Sequence, residues 1–355
     1  MVHFQQEKQL IQAYHSEFDK AEKEGIEAVL SRYTTTDYYW RGMHPFYEQT
    51  GSKAVAEVFW KPFLSSFSPV QRREDIFFAG LNICDHGKSR WVLSMGNLLG
   101  LFDQNWLGIP ANGKMVFLPY AEFHRIEGGK IAETAMFCDI LSVMQQVGHY
   151  PLPPMTGAAI IKPGPRTHDG LLVDPQDPAG TQKTLDVLHQ MIEDLNELNH
   201  TGLDNCPPEW LGRTWHEDML WYGPTGIGAS YTIKRYQIQH QYPFRENLSD
   251  KVFNGHITRF AEGNYCGFFG WPNLNNKNKG GFLGLPASEV HAPMRVVDVY
   301  RREGDKLAEN WIFIDILHYL FEQGLDVLGR MSQINRTDRY QAGRRPQKEG
   351  ISPNE

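Results

Sequence analysis

Apolar residues recur at helical spacing over 5–29, where Leu10, Ile11, Tyr14, Phe18, Ala21, Ile26, Val29 and Leu30 stand among many charges. Residues 181–199 repeat the pattern with Leu185, Leu188, Met191, Ile192, Leu195 and Leu198. Both stretches predict amphipathic helices with one buried stripe. A shorter helix is predicted over 53–66, where Val55, Val58, Phe59 and Phe63 share a face, with a counterpart over 231–242. Glycine-rich, strand-like segments follow at 75–102 and 252–272. The clearest local pattern is MRVVDVYRREGDKLAENWIFIDI, two β-rich runs around Gly304-Asp305; Gly128-Gly129 holds the same place earlier in the chain. A glycine-containing two-residue loop between such runs predicts a β-hairpin, because these turns need positive φ. Hairpins that follow helices argue for an α+β fold.

The pattern recurs because the chain carries one segment twice. Residues 108–148 align with 284–324 without a gap at an offset of 176, with 14 of 41 positions identical. A second match at an offset of 181 pairs Leu30/Leu211, Arg32/Arg213, Asp37/Asp218, Trp40/Trp221, Gly42/Gly223, Pro62/Pro243 and Phe63/Phe244. A period this long means two copies of a whole domain rather than a solenoid. The expected division is a first domain over 1–150, a Pro/Gly-rich linker over 151–180, a second domain over 181–336 and a polar, mobile tail over 337–355.

The hairpin turn also places side chains on faces. With Glu303 opposite Lys306, opposed residues sum to 609, so Asp298, Tyr300, Glu309, Trp311, Phe313 and Asp315 are expected on one face. The same arithmetic gathers Tyr120, Glu122, His124, Glu133, Ala135, Phe137 and Asp139 in the first copy. Acids mixed with aromatics suit a semi-buried pocket, where desolvation raises a carboxyl pKa and makes it a usable acid or base. An Asp at a strand end can equally cap a turn or pair with an Arg, and both readings stay open for Asp139 and Asp315. Asp298 and Asp315 would stand roughly 13 Å apart along the strands, too far for the carboxylate pair of a glycosidase. Trp40 and Trp221 recur at equivalent positions, as core residues or as a stacking wall for a ring.

Composition narrows the function. A net charge of −7 argues against a nucleic-acid partner, which needs a basic face. No apolar run approaches the length of a membrane span, and the start MVHFQQEKQL has no signal-peptide character, so a cytoplasmic setting is expected. Cys84, Cys138, Cys206 and Cys266 form no CxxC pair. His44, His216, His240 and His256 are scattered without a ligand pattern, and no metal is expected. GPTGIGAS lacks the lysine of a phosphate-binding loop.

Each copy resembles the SnoaL-like polyketide cyclases of the nuclear transport factor 2-like superfamily. The resemblance lies in the G-[IL]-P-A loops at 108–111 and 284–287, in FHRIEGGKIAET…D and VYRREGDKLAENW…D, and in WYGPTGIG at 221–228. It implies two tandem cone-shaped domains, each with helices packed on a curved antiparallel sheet around an apolar pocket. It further implies cofactor-independent acid/base chemistry by the Asp that ends the last hairpin strand, here Asp315 or Asp139. The first copy departs from the pattern with Thr134 and Ala135 where the second has Asn310 and Trp311, and it gains His124 where the second has Tyr300. The expected catalytic residues are therefore Asp315, Asp298, Asp139 and Glu122. The expected substrate wall is Trp221, Trp311, Tyr300, Phe313, Trp40, Tyr120 and His124. The expected function is a cyclase, isomerase or lyase acting on a small neutral or weakly acidic molecule, with the second copy nearer to a working site. The alternative is a non-catalytic tandem ligand-binding or scaffold protein. In either case the two copies are expected to form an intrachain pseudo-dimer, or a homo-oligomer beyond it.

Overall fold

The computed structural model describes residues 3–201 and 206–345. Within them the chain is α+β, with two separate sheets and helices on each. The first sheet runs β2 (Glu48–Thr50), β1 (Thr34–Gly42), β6 (Lys130–Cys138), β5 (Met115–Glu127), β4 (Arg90–Phe102), β3 (Phe67–Leu81). The second contains β10 (Thr258–Glu262), β11 (Tyr265–Asn278), β12 (Ala292–Glu303), β13 (Lys306–Ile314), β7 (Trp215–Tyr222) and β8 (Ser230–Tyr231), with β9 (Leu248–Phe253) paired to β11. Neighbours are antiparallel except β1 with β6 and β7 with β13, which run parallel.

The two offsets recover the elements residue for residue. At 176, Lys130–Cys138 maps onto Lys306–Ile314, and the helix Ile140–Gln146 maps onto Ile316–Glu322. At 181, the helical stretch 52–66 maps onto 233–247, and each contains a π turn, Ala56–Trp60 or Gln237–Gln241. A recurring proline, Pro62 or Pro243, follows each π turn in the first turn of the next helical segment. The second stretch therefore runs past the predicted end at 242. The helix expected over 5–29 is instead two helices, Gln5–Phe18 and Ile26–Tyr33, separated by a turn at Asp19–Ala21. The helix expected over 181–199 is present, within Pro178–Thr201.

The hairpins hold the main correction to the expected faces. Glu303 does pair with Lys306, but the register shifts between Arg301 and Arg302, and beyond it Arg301 opposes Glu309, Tyr300 opposes Asn310 and Asp298 opposes Ile312. The first copy shifts at the same place, between Arg125 and Ile126. Ala308 and Ala132 are the extra residues of two equivalent β-bulges. One residue of slip moves every later side chain of the strand to the opposite face. Asp298 and Tyr300 thus share a face with Asn310, Ile312 and Ile314. Glu309, Trp311 and Phe313 turn to the other face, as do Glu133, Ala135 and Phe137.

That other face is where the copies meet. A single buried cluster unites Phe78, Trp91, Phe123 and Phe137 of the first sheet with Phe260, Phe269, Trp311 and Phe313 of the second. Ring pairs cross the junction, Phe123 to Phe269 at 5.0 Å and Phe78 to Phe260 at 5.2 Å. At its edge the buried Lys8 ammonium donates to Glu262 at 2.7 Å and to the Leu172 carbonyl at 2.8 Å.

The segment after the first domain is pinned rather than hanging. Ala158 bridges to Ala229, Leu171 to Phe77, and the Pro163 carbonyl accepts from the Trp311 indole at 2.8 Å. Residues 337–345 lie back on the first domain, where the Gly343 N–H donates to the Pro45 carbonyl. The remainder of the expected tail, 346–355, lies outside the described residues. No helix among the described residues is long and apolar enough to cross a membrane.

Candidate functional site

The second cone is hollow. Its cavity of about 440 Å³ is bounded by β12, β13 and β11, the 233–247 stretch and the Pro178–Thr201 helix. That volume lies in the range of small-molecule sites. The wall is largely apolar, with Met191, Leu195, Leu211, Phe244, Phe268, Met294 and Ile312, and a few polar groups converge on it.

Asp298 is the central one. It lies mid-strand on β12, its Oδ1 accepts from Asn310 Nδ2 at 3.3 Å, and the Tyr300 hydroxyl is its second donor. Burial pushes its carboxyl up to about 7, against the pull of those two donors. Both protonation states are therefore within reach near neutral pH, as a general acid or base requires. Burial also raises the Tyr300 and Tyr236 hydroxyls above their ordinary value, so both remain donors. The His240 ring stacks on Trp221 with centroids 4.2 Å apart, and burial lowers its pKa to about 3, so it stays neutral. Trp221 also lines the cavity, and its buried Nε1 has no hydrogen-bond partner among the described residues. Arg245, Lys251 and Arg259 contribute to the lining, and His256 stacks on Phe268 at 3.9 Å.

Asp315 and Asp139 are placed differently from the expectation. Asp315 is fully buried and caps the helix Ile316–Glu322, accepting from the His318 N–H at 3.2 Å. It also accepts the His44 N–H of the first domain at 3.0 Å and Arg295 Nη1 at 3.4 Å. Burial lifts it to about 6, against Arg295 and the two N–H groups. Asp139 caps Ile140–Gln146 through the Ser142 N–H at 3.1 Å and reaches across to the Thr225 N–H at 2.9 Å. His44 and Thr225 are themselves equivalent at the 181 offset, so each domain's capping Asp grips the same loop of the other. Burial alone would raise Asp139, but the Lys162 ammonium at 2.9 Å and these N–H groups hold it below the usual carboxylate range. Neither Asp lines the cavity. The capping-and-pairing reading left open by the sequence describes both.

Trp311 and Phe313 are likewise outside the cavity, on the inter-domain face: Trp311 stacks on Tyr222 at 5.4 Å, and the Lys162 ammonium lies 4.7 Å from the Phe313 ring centroid. Trp40 packs against Phe59 and Phe46 in the first core. Of the expected wall, Trp221 and Tyr300 line the second cavity together with Asp298.

The first cone is filled by its own side chains. At the 181 offset, His240 and Gln241 correspond to Phe59 and Trp60. Phe59 and Trp60 are buried in a ring cluster with Phe63 and Trp106. At the 176 offset Val296 corresponds to the larger Tyr120, whose hydroxyl bonds Ser94 Oγ at 3.0 Å. Glu122, the counterpart of Asp298, receives Arg72 Nη1 at 3.0 Å, and burial raises its carboxyl against that pairing. His124 Nδ1 meets Thr134 Oγ1 at 2.9 Å, and burial keeps both His124 and His15 neutral.

His240, Tyr236, Gln241 and Arg259 were missed as site residues. The signal that could have found them is the pair of substitutions between copies, Phe59 to His240 and Trp60 to Gln241, which puts polar groups at two core positions in one copy only.

No protein-family model matches the chain, and no curated protein matches it. Solved structures do. One provisionally assigned as a SnoaL-like polyketide cyclase, from Jannaschia sp. CCS1, is 20% identical, with 42% of this chain and 94% of that one covered and a TM-score of 0.32. An NTF2-like protein from Burkholderia xenovorans is 12% identical over 40% of this chain and 97% of its own, TM-score 0.32. TsrD from Streptomyces laurentii is 17% identical over 42% and 97%, TM-score 0.32.

Proposed function

We propose that the second domain is a small-molecule enzyme of the cyclase, isomerase or lyase class that moves a proton beside a carbonyl, with Asp298 as acid and base. The observation that carries this reading is a carboxyl poised at about 7 in the wall of an apolar cavity. Asp298 takes a proton from the carbon next to a substrate ketone or ester. The enolate oxygen that develops needs donors held in place beforehand. Tyr236 is a candidate, as is Trp221 Nε1, which has no hydrogen-bond partner among the described residues. Asp298 then returns the proton at the same or another carbon. An aldol-type ring closure, a double-bond shift and an elimination all begin with this step, and none requires a cofactor. The aromatic wall of Trp221, Phe244 and Phe268 suits a cyclic or polyunsaturated ketone.

The filled first cone favours a different role for the first domain, that of a scaffold. Through His44 it supplies one of the N–H groups that fix Asp315, and through Asp139 it fixes the 224–227 loop next to Trp221.

The test is proton exchange in heavy water with a panel of cyclic ketones and β-ketoesters, followed by mass spectrometry. Wild type should introduce deuterium next to the carbonyl of the ligands it binds. Asp298→Asn should lower the rate by roughly 10²–10⁴-fold while ligand affinity holds within a few-fold. Ligands that bind without exchanging in wild type would instead make the second cone a carrier.

A further inference from the structure

We infer that the first domain holds a divalent transition-metal ion between His15, Glu122 and His124. The three residues come from two elements, the helix Gln5–Phe18 for His15 and one face of β5 for the other two. All three are buried, and one ligand atom from each lies within 4.8 Å of the others. His15 Nε2 stands 3.8 Å from Glu122 Oε2, and His124 Nε2 stands 3.9 Å from the same oxygen. Both Nε2 atoms are buried without a hydrogen-bond partner among the described residues. Two orphaned imidazole nitrogens turned on one carboxylate are costly in a protein interior unless something joins them.

A zinc ion would join them by drawing the three groups inward. Ligand atoms around a tetrahedral zinc lie about 3.3 Å apart, so the two nitrogen–oxygen distances of 3.8 and 3.9 Å would shorten by roughly half an ångström, and the two nitrogens, within 4.8 Å of each other, by up to about 1.5 Å. On His124 the outer contact matches what a metal-bound histidine requires, a partner on the second ring nitrogen. His124 Nδ1 bonds Thr134 Oγ1 at 2.9 Å, and His15 Nδ1 lies 3.5 Å from Glu74.

Arg72 is the objection that must be met, because it pairs with Glu122 Oε2 at 3.0 Å. Arg72 also pairs with Asp19 at 3.2 Å, and Asp19 is partly exposed. Glu122, Glu74 and Asp19 against Arg72 leave two negative charges, the complement of a dication. Arg72 can remain on Asp19 when the ion takes Glu122. Two histidines and one carboxylate select zinc, cobalt or iron over magnesium or calcium. The second domain has Asp298 and Tyr300 at the positions of Glu122 and His124, so the ion would belong to the first domain alone.

The experiment is metal titration of the full chain after chelator treatment, with Co²⁺ and Zn²⁺ as probes. One ion per chain is expected by elemental analysis after desalting, with the visible bands of four- or five-coordinate cobalt and a rise in Tm on adding zinc. His124→Gln and the isosteric Glu122→Gln should each weaken zinc binding at least tenfold, with circular dichroism confirming that each variant is folded. Wild type that retains no metal and gives only the spectrum of hydrated cobalt would overturn the proposal and leave a bridging water between the rings. Binding of equal strength in both variants would also overturn it, by placing the ion elsewhere.

Discussion

At Asp298 one buried carboxyl carries both a chemical and a thermodynamic signature. Its folded pKa of about 7 stands above the ordinary value of about 4. The native state therefore holds a proton that the unfolded chain has released, and stability falls as pH rises between those values. Wild type should lose stability relative to Asp298→Asn from about pH 4 to about pH 7, measured by urea unfolding across that range; parallel curves would place the carboxyl in a more polar setting. The comparison cancels Asp315, which titrates in the same window in both proteins. In catalysis the same group should give exchange rates that rise with pH through about 7, as a base does. Asp139 makes the opposite case. Replacing it with Ala strands Lys162 as a buried, unpaired charge and removes a helix cap, a loss of about 3–5 kcal/mol. Thermal unfolding should show that loss. Asp298 was legible in the sequence as an acid on a strand beside aromatics. Asp315 was legible only as an acid at a strand end, and a cap and a catalyst look alike there until the N–H groups are in view.

Register and turn chemistry were readable at the scale of elements only up to the bulge. The Gly304-Asp305 loop gives the hairpin and the Glu303–Lys306 pair, but nothing in Leu307-Ala308-Glu309 announces that Ala308 is extra. That single residue decides whether Trp311 faces a substrate or the other domain. The recurrence of Trp with Gly two residues on has a physical reason in the fold: a Cβ at Gly42 would stand 2.1 Å from the Trp40 ring, and one at Gly223 would stand 2.1 Å from the Trp221 ring. Each indole lies over its glycine at the end of its strand. Gly42→Ala and Gly223→Ala should each cost about 1–3 kcal/mol through overpacking, seen as a lower Tm. Only Gly223→Ala should weaken ligand binding as well, because Trp221 lines the cavity and Trp40 does not. Equal effects of both on binding would mean that Trp221 is not part of the ligand's wall.

For the whole molecule, the repeat gave the two domains, whereas their mode of contact depends on which hairpin face each aromatic occupies. Phe123 and Phe137 of one sheet meet Phe269 and Trp311 of the other, and the two capping aspartates reach across the same junction in opposite senses. This is the reciprocal pattern expected where equivalent surfaces meet about a two-fold axis. The arrangement frees one copy to lose its cavity while its outer face is kept, because the other copy needs that face covered. A chain cut in the 151–180 segment should then fail to give two well-behaved halves. Residues 1–150 alone would expose the Phe78, Phe123 and Phe137 face, a patch of the kind that drives association. Sedimentation velocity should show self-association or aggregation of each half, and mixing the halves should restore a one-to-one complex with the ligand affinity of the intact chain. A monodisperse, folded monomer of either half would show that the inter-sheet cluster is dispensable and that the filled first domain is retained for some other reason.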